Sequence, residues 1–231
     1  MDYLLVAVVA GLAAVERKGF LQAMLARPVV LAPITGLALG DLPGGLLVGA
    51  PLELLWLGAV NMGASLPPNE ALATVAISAG AVLAGRVLGT GVTPAIAALA
   101  IALVGGMATV GRSTDRAIEE WNVRLAARAE ALLARGSPRA AVRTNLYGLL
   151  LPFAVSAVLA PAAAAIAAWV IPGVLHGLPA ADAPLGFGWA ALTGVAAAAA
   201  ARAFRSQRGI GLFAGAAALT LAVGWLAGGI R

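Results

Sequence analysis

Apolar residues fill this chain in long blocks, and polar residues gather at the breaks between them. Apolar stretches recur at 92–111, 145–170 and 209–229. Each is near the ~20 residues a helix needs to cross ~30 Å of hydrocarbon. The N-terminal half is patterned differently. Segments 28–40 and 71–84 hold 13 and 14 residues, roughly 20 Å of helix at ~1.5 Å per residue. That is short of a full span. Prolines and glycines break the runs at "GDLPGG" (40–45) and "GASLPPNE" (63–70). Short apolar segments with polar residues at their breaks predict re-entrant hairpins or broken helices. Such backbone survives at membrane depth only where protein surrounds it or it lines a cavity. The predicted fold class is all-α: a polytopic membrane protein with full-span helices plus short re-entrant or broken helices in the N-terminal half.

Composition supports a membrane setting. Hydrophobic residues make up 61% of the chain, charged residues 11%, and the mean hydropathy is +0.96. Soluble domains carry about 25% charged residues, so a water-facing surface could not be covered here. The start "MDYLLVAVVAGLAAV" lacks the basic n-region of a signal peptide, and its first charge, Asp2, has the wrong sign. The absence of cysteine excludes disulfides, thiolate catalysis and Cys-ligated metal. A net charge of +5 and a pI near 11.0 suit nucleic acid in principle. The charges instead cluster at particular loops, as membrane orientation requires, and no nucleic-acid partner is expected.

The largest cluster lies at 111–143, where Arg112, Arg116, Arg124, Arg128, Arg135, Arg139 and Arg143 face Asp115, Glu119, Glu120 and Glu130. Ile118, Trp121, Leu125, Leu132 and Leu133 recur near a helical period there. This reads as an amphipathic helix along the bilayer surface, with docking of a soluble partner as the lesser reading. A second basic group runs from Arg202 to Arg208. The positive-inside rule puts 111–143 and 202–208 in the cytoplasm and 171–186 outside. Arg17, Lys18 and Arg27 form a third group, which leaves the N-terminus outside. The chain divides accordingly into a membrane part with re-entrant segments and the candidate site (1–110), a cytoplasmic charged segment (111–143) and C-terminal membrane helices (144–231).

Five acids lie in the first 70 residues. Asp2 reads as solvated, Asp41 as a turn residue bonded to nearby backbone N–H groups, and Glu16 as a surface ion pair with Arg17 and Lys18 at least as readily as a site. Glu53 stands between Leu52 and Leu54-Leu55-Trp56 with no charged neighbour in sequence. An intramembrane carboxylate is a functional-site candidate by default, although a structural hydrogen bond to another hairpin is open to it as well. Asn61 falls near the same helical face, and Asn69 and Glu70 follow the Pro-Pro break. Carboxylates and amides together suit sugar hydroxyls, which both donate and accept. Trp56 could offer a ring face, though a core or lipid-facing role is commoner. Gly36, Gly40 and Gly44, and again Gly45 and Gly49, repeat every four residues and permit close helix contact. No nucleotide-binding G-x-x-x-x-G-K-[ST] loop occurs. His176, the only histidine, sits in an expected outer loop, so no metal site, cofactor or phosphohistidine is expected.

The run from Arg27 to Ala73 resembles the IIC membrane subunit of the mannose/fructose/sorbose family of the bacterial phosphotransferase system. The matching residues are Arg27-Pro28, Gly40-Asp41, Gly44, Gly49, Glu53-Leu54, Leu57-Gly58, Asn61, Gly63-Ala64 and Pro68. The resemblance implies a non-enzymatic, multi-pass subunit of the bacterial cytoplasmic (inner) membrane that conducts a hexose-like sugar. It also implies a IID membrane partner, soluble IIA and IIB subunits that carry the phosphate, and oligomeric assembly in the lipid bilayer. Carried over by position, Glu53 and Asn61 face the sugar, with Asn69 and Glu70 beside them as further substrate-binding candidates. One position departs from the family pattern: the acid expected directly after the proline is displaced, and the chain reads Pro68-Asn69-Glu70. An ion-coupled carrier, with Glu53 as a proton or sodium site, is the alternative within transport. A non-transporting regulatory or assembly relative is the alternative outside it.

The orientation is testable because the chain has no native cysteine. A thiol introduced at position 180 should react with an impermeant maleimide in intact cells. One at position 128 should react only after permeabilisation. The opposite pattern inverts the topology.

Overall fold

Prolines and capping side chains set where the helices begin. The computed structural model describes residues 1–57 and 66–203, together with Gly211, Ala214, Gly215 and Ala218, and its regular structure there is helical. Helix α1 covers Asp2–Lys18. Pro28 opens α2 (Pro28–Ala38), where a missing N–H costs no helical bond. Asp41 caps α3 (Leu42–Trp56) by accepting the Gly44 N–H at 2.8 Å. Asn69 caps α4 (Glu70–Leu88) through the Leu72 N–H at 3.0 Å, and Gly89, at a φ of 71°, ends it. Thr93 caps α5 (Pro94–Val104). Gly105 and Gly106 keep helical angles, so α5 runs on into α6 (Met107–Ala134). After a reversal at Gly136 (φ 75°), α7 (Pro138–Leu146) passes through a tight turn into α8 (Leu150–Gly177). Helix α9 spans Asp182–Ala203.

Among the described residues, four stretches are long and apolar enough to cross a membrane: Glu70–Leu88, Pro94–Ala134, Pro138–Gly177 and Asp182–Ala201. Helices α2 and α3, of 11 and 15 residues, are apolar but shorter. The fold is that of an all-α membrane protein, as expected from the sequence. One expectation is corrected. Segment 71–84 is not a short broken helix but the body of α4, which is 19 residues long. Arg86 does not end it, because a cation in the last turn complements the carbonyl end of the helix dipole. Asp2, its side chain still exposed, pairs with Arg86 at 2.5 Å. Helix α6 starts within apolar sequence at Met107 and carries the charges as far as Glu130 on the same helix.

Helix α4 is the axis of the molecule. Every residue from Ala71 to Gly85 is buried, with α8, α1, α2, α3, α5 and α6 around it. Its small side chains allow that crowding: a Cβ on Gly80 would lie 2.6 Å from the Ala167 Cβ of α8. Helices α2 and α3 fold on each other as a hairpin. A Cβ on Gly45 would lie 2.5 Å from the Ala32 carbonyl oxygen, and one on Gly49 2.7 Å from that of Pro28. Gly40 serves differently: it takes a φ of 84° in the turn between the two helices. The outward faces of α8 and α9 leave Val158, Ile166, Trp169, Phe187 and Val195 exposed, which suits hydrocarbon.

Gly45→Val tests the close contact of the hairpin. Its side chain meets backbone, which cannot yield as a flexible side chain does. The cost should be about 1–3 kcal/mol, the usual range for overpacking, seen as a lower melting temperature in detergent. Gly173→Ala, where nothing lies within 4 Å, should melt at or above the native temperature.

Candidate functional site

The hairpin and the start of α4 bring three charges together. Arg27, the residue just before α2, donates from Nε (3.0 Å) and Nη2 (2.5 Å) to Glu53 Oε1 on α3. Its Nη1 donates to Glu70 Oε1 at 3.2 Å, at the first position of α4. The side chains of Glu53 and Glu70 are 16% and 18% exposed and that of Arg27 is 26% exposed, so the group is largely withdrawn from solvent. Glu53 Oε2 also accepts the Val29 N–H at 3.2 Å. That N–H belongs to the first turn of α2, which has no partner of its own in the helix. Glu53 is therefore neutralised twice, by a guanidinium and by the positive end of a helix dipole.

The carboxylates keep hydrogen-bonding capacity to spare. Glu70 Oε2 has no bond among the described residues, and two of the five Arg27 N–H groups are unused. Arg27 and Glu70 also line a cleft of about 200 Å³ with Arg17 and Gln22. Burial works against the Arg27 charge, while hydrogen bonding to Glu53 and the charges of both carboxylates favour it.

Of the sequence-derived candidates, the structure brings Glu53 and Glu70 together. Asn61 lies outside the described residues. Asn69 is 5% exposed, and its amide is occupied on both sides. Its oxygen caps α4, while Nδ2 donates to Asp115 Oδ2 on α6 at 3.2 Å. Asp115, in turn, takes Arg17 at 2.7 Å and Lys18 at 3.4 Å, and Lys18 reaches Glu119 at 3.0 Å. The expected pairing of Glu16 with Arg17 and Lys18 is thus corrected. Those cations turn to α6, and Glu16, 7% exposed, binds backbone N–H groups instead. Asp41 does bond nearby backbone, and it also accepts the Val92 N–H at 3.2 Å.

Arg27 was the residue missed. A signal existed: an acid at membrane depth demands a counter-charge, and Arg27 opens the same apolar run. Asp115 gave no such signal, because one acid among many charges at 111–143 looks like its neighbours. It accounts for the amide at 69. An aspartate there could cap α4 equally well but could not donate to Asp115.

The family described as PTS system sorbose-specific IIC component matches residues 1–184. The chain is 46% identical over 59 residues to the "Putative N-acetylgalactosamine permease IIC component 2" of Escherichia coli K12, covering 26% of this chain and 44% of that one. It is 35% identical over 94 residues to the "Fructose permease IIC component" of Bacillus subtilis 168, covering 41% and 34%. The mannose-specific EIIC component of Escherichia coli K12 is 39% identical over 71 residues, covering 30% and 26%. These alignments span less than half the length of each relative. Two solved structures share the fold at 22% identity. One, described as "Structure of membrane protein", has a TM-score of 0.70 and covers 99% of this chain and 92% of that one. The other, the mannose transporter ManYZ with microcin E492, has a TM-score of 0.57 and covers 96% and 86%.

The Asn69–Asp115 contact yields a test. Asn69→Asp keeps the cap but sets two carboxylates against each other. It should cost about 1–3 kcal/mol, since a hydrogen bond to a charged group is lost. Adding Asp115→Asn restores a donor–acceptor pair. The double variant should melt well above the value expected from adding the two single effects. Simple additivity would show that the two side chains do not interact.

Proposed function

The chain belongs to the PTS sorbose-specific IIC family, and from that premise we propose that it is the sugar-conducting membrane subunit of a phosphoenolpyruvate-dependent phosphotransferase system. In this reading it moves a hexose-like sugar across the bacterial cytoplasmic membrane, beside a IID subunit. A separate IIB subunit, charged by IIA, phosphorylates the sugar on arrival. The observation that carries the reading is the Arg27–Glu53–Glu70 group, held between the short α2–α3 hairpin and the start of α4 beside a cleft. Carboxylates and a guanidinium with unused acceptors and donors are what a polyol needs. The sugar would exchange its hydroxyls for part of the existing network. Asn61 belongs to the proposed site as well, and Asn69 supports it indirectly by starting the helix that carries Glu70.

Arg27 already supplies a counter-charge to Glu53, which favours sugar binding over a proton or sodium site at this residue. The cytoplasmic placement of 111–143, the division into 1–110, 111–143 and 144–231, and oligomeric assembly belong to the same proposal.

Glu53→Gln decides the central point. It keeps the shape, removes the charge and replaces one acceptor with an amide donor. Sugar affinity, measured on protein of matched assembly, should fall about tenfold or more, since ~1.4 kcal/mol is a factor of ten. A site built to hydrogen-bond a hydroxyl penalises a wrong partner heavily. Equal affinity in the two proteins, with only assembly or melting changed, would make Glu53 structural.

A further inference from the structure

The segment between α1 and α2 has an unfavourable backbone. Leu21, Gln22 and Met24 take φ values of 65°, 49° and 60°, a region that side chains of this kind rarely enter. Such a conformation persists only when its surroundings hold it. The hold here comes from Glu16, three residues from the end of α1 as counted inclusively from Lys18. Glu16 Oε1 accepts the Leu25 N–H at 3.2 Å, and Oε2 accepts the Ala26 N–H at 3.1 Å. Both carboxylate oxygens are thus spent on consecutive amides. Ala26 is 7% exposed, whereas Phe20, Leu21, Met24 and Leu25 are all exposed. The apolar side chains of the segment do not anchor it; the buried end at Ala26 does.

Arg27 follows Ala26 directly. Its own N–H donates to the Met24 carbonyl at 3.2 Å and its carbonyl starts α2, so the path of the clamped segment helps set where the guanidinium leaves the backbone. The same fold of the segment places Gln22 on the cleft lined by Arg27 and Glu70. We propose that Glu16 is a positioning residue: it clamps the strained segment so that Arg27 meets Glu53 and Glu70 and Gln22 faces the same cleft. The inference rests on the reading of that group as the sugar site. Glu16 borders the same cleft, but both its oxygens are engaged by the Leu25 and Ala26 amides, so its part is not to bind sugar. It acts through Arg27.

The experiment uses the full chain assembled with its membrane partner. Glu16→Gln keeps the size of the side chain, but its amide nitrogen opposes one of the two N–H donors. In an Ala26→Cys background, E16Q should raise the rate of thiol labelling at position 26 about tenfold, because the pinned amide is released. Sugar affinity should fall in E16Q. The double variant E16Q/R27Q should bind no more weakly than R27Q alone, since a residue acting through Arg27 has nothing to add once Arg27 is gone. An unchanged labelling rate overturns the clamp, and additive losses of affinity overturn action through Arg27. If R27Q binds sugar as tightly as the native chain, the sugar-site reading is what fails, and the positioning role toward sugar fails with it. Where E16Q does not assemble, E16D, which keeps the charge and shortens the reach, goes through the same two measurements.

Discussion

Arg27 bridging Glu53 and Glu70 is the contact on which the N-terminal half depends. A carboxylate at membrane depth costs ~2.5–3.5 kcal/mol even on insertion scales, and this chain brings two to one place. One guanidinium serves both, with the N-terminal turn of α2 adding its dipole to Glu53. The three residues come from three elements, so the bridge ties the hairpin to the central helix. Removing the arginine would leave two acids facing each other with no cation between them. Losing one partner of a buried pair is the costly way to break it.

The same requirement recurs at both ends of α1. Asp2 meets Arg86 near the end of α4, and Arg17 and Lys18 meet Asp115 beside Asn69 at its start. Helix α1 is therefore held to α4 by an ion pair at one terminus and to α6 by ion pairs at the other, while Val6, Ala10 and Ala13 pack toward α4. The polar contacts set the register along the axis. The apolar contacts, being non-directional, supply attraction without choosing it. A shift of α1 by one turn would keep much of the burial and lose both sets of charges.

Close approach is the second requirement, met with small residues. Helix α4 is buried along nearly its whole length by six neighbours, which Ala and Gly permit and larger side chains would not. In lipid there is little hydrophobic drive between helices, so intimate contact must take its place. Gly45 and Gly49 give the hairpin that contact against the α2 backbone. One face of each short helix packs against protein, while Ile34, Leu37 and Leu46 leave apolar surface exposed on the other.

Much of this was legible in the residues alone. Apolar blocks of helical length name a membrane protein, because hydrocarbon thickness and helix rise leave little else. Glycine and proline breaks mark the short hairpin, and Glu53 stands out because a lone acid in an apolar run has to be accounted for. Helix α4 was read too short, since a span ending in arginine looks truncated until its dipole and Asp2 are considered together. Glu16 was read from its neighbours in sequence, yet helix geometry turns Arg17 and Lys18 toward α6 and leaves Glu16 to the backbone. What only the tertiary structure decided is which charges meet: Arg27 with Glu53 across 26 residues, and Arg17 with Asp115 across 98. Hydrophobic pattern is local, repeating with the period of one element, so a single sequence displays it. Charge pairing is set by how elements pack, and that is not written in any one of them.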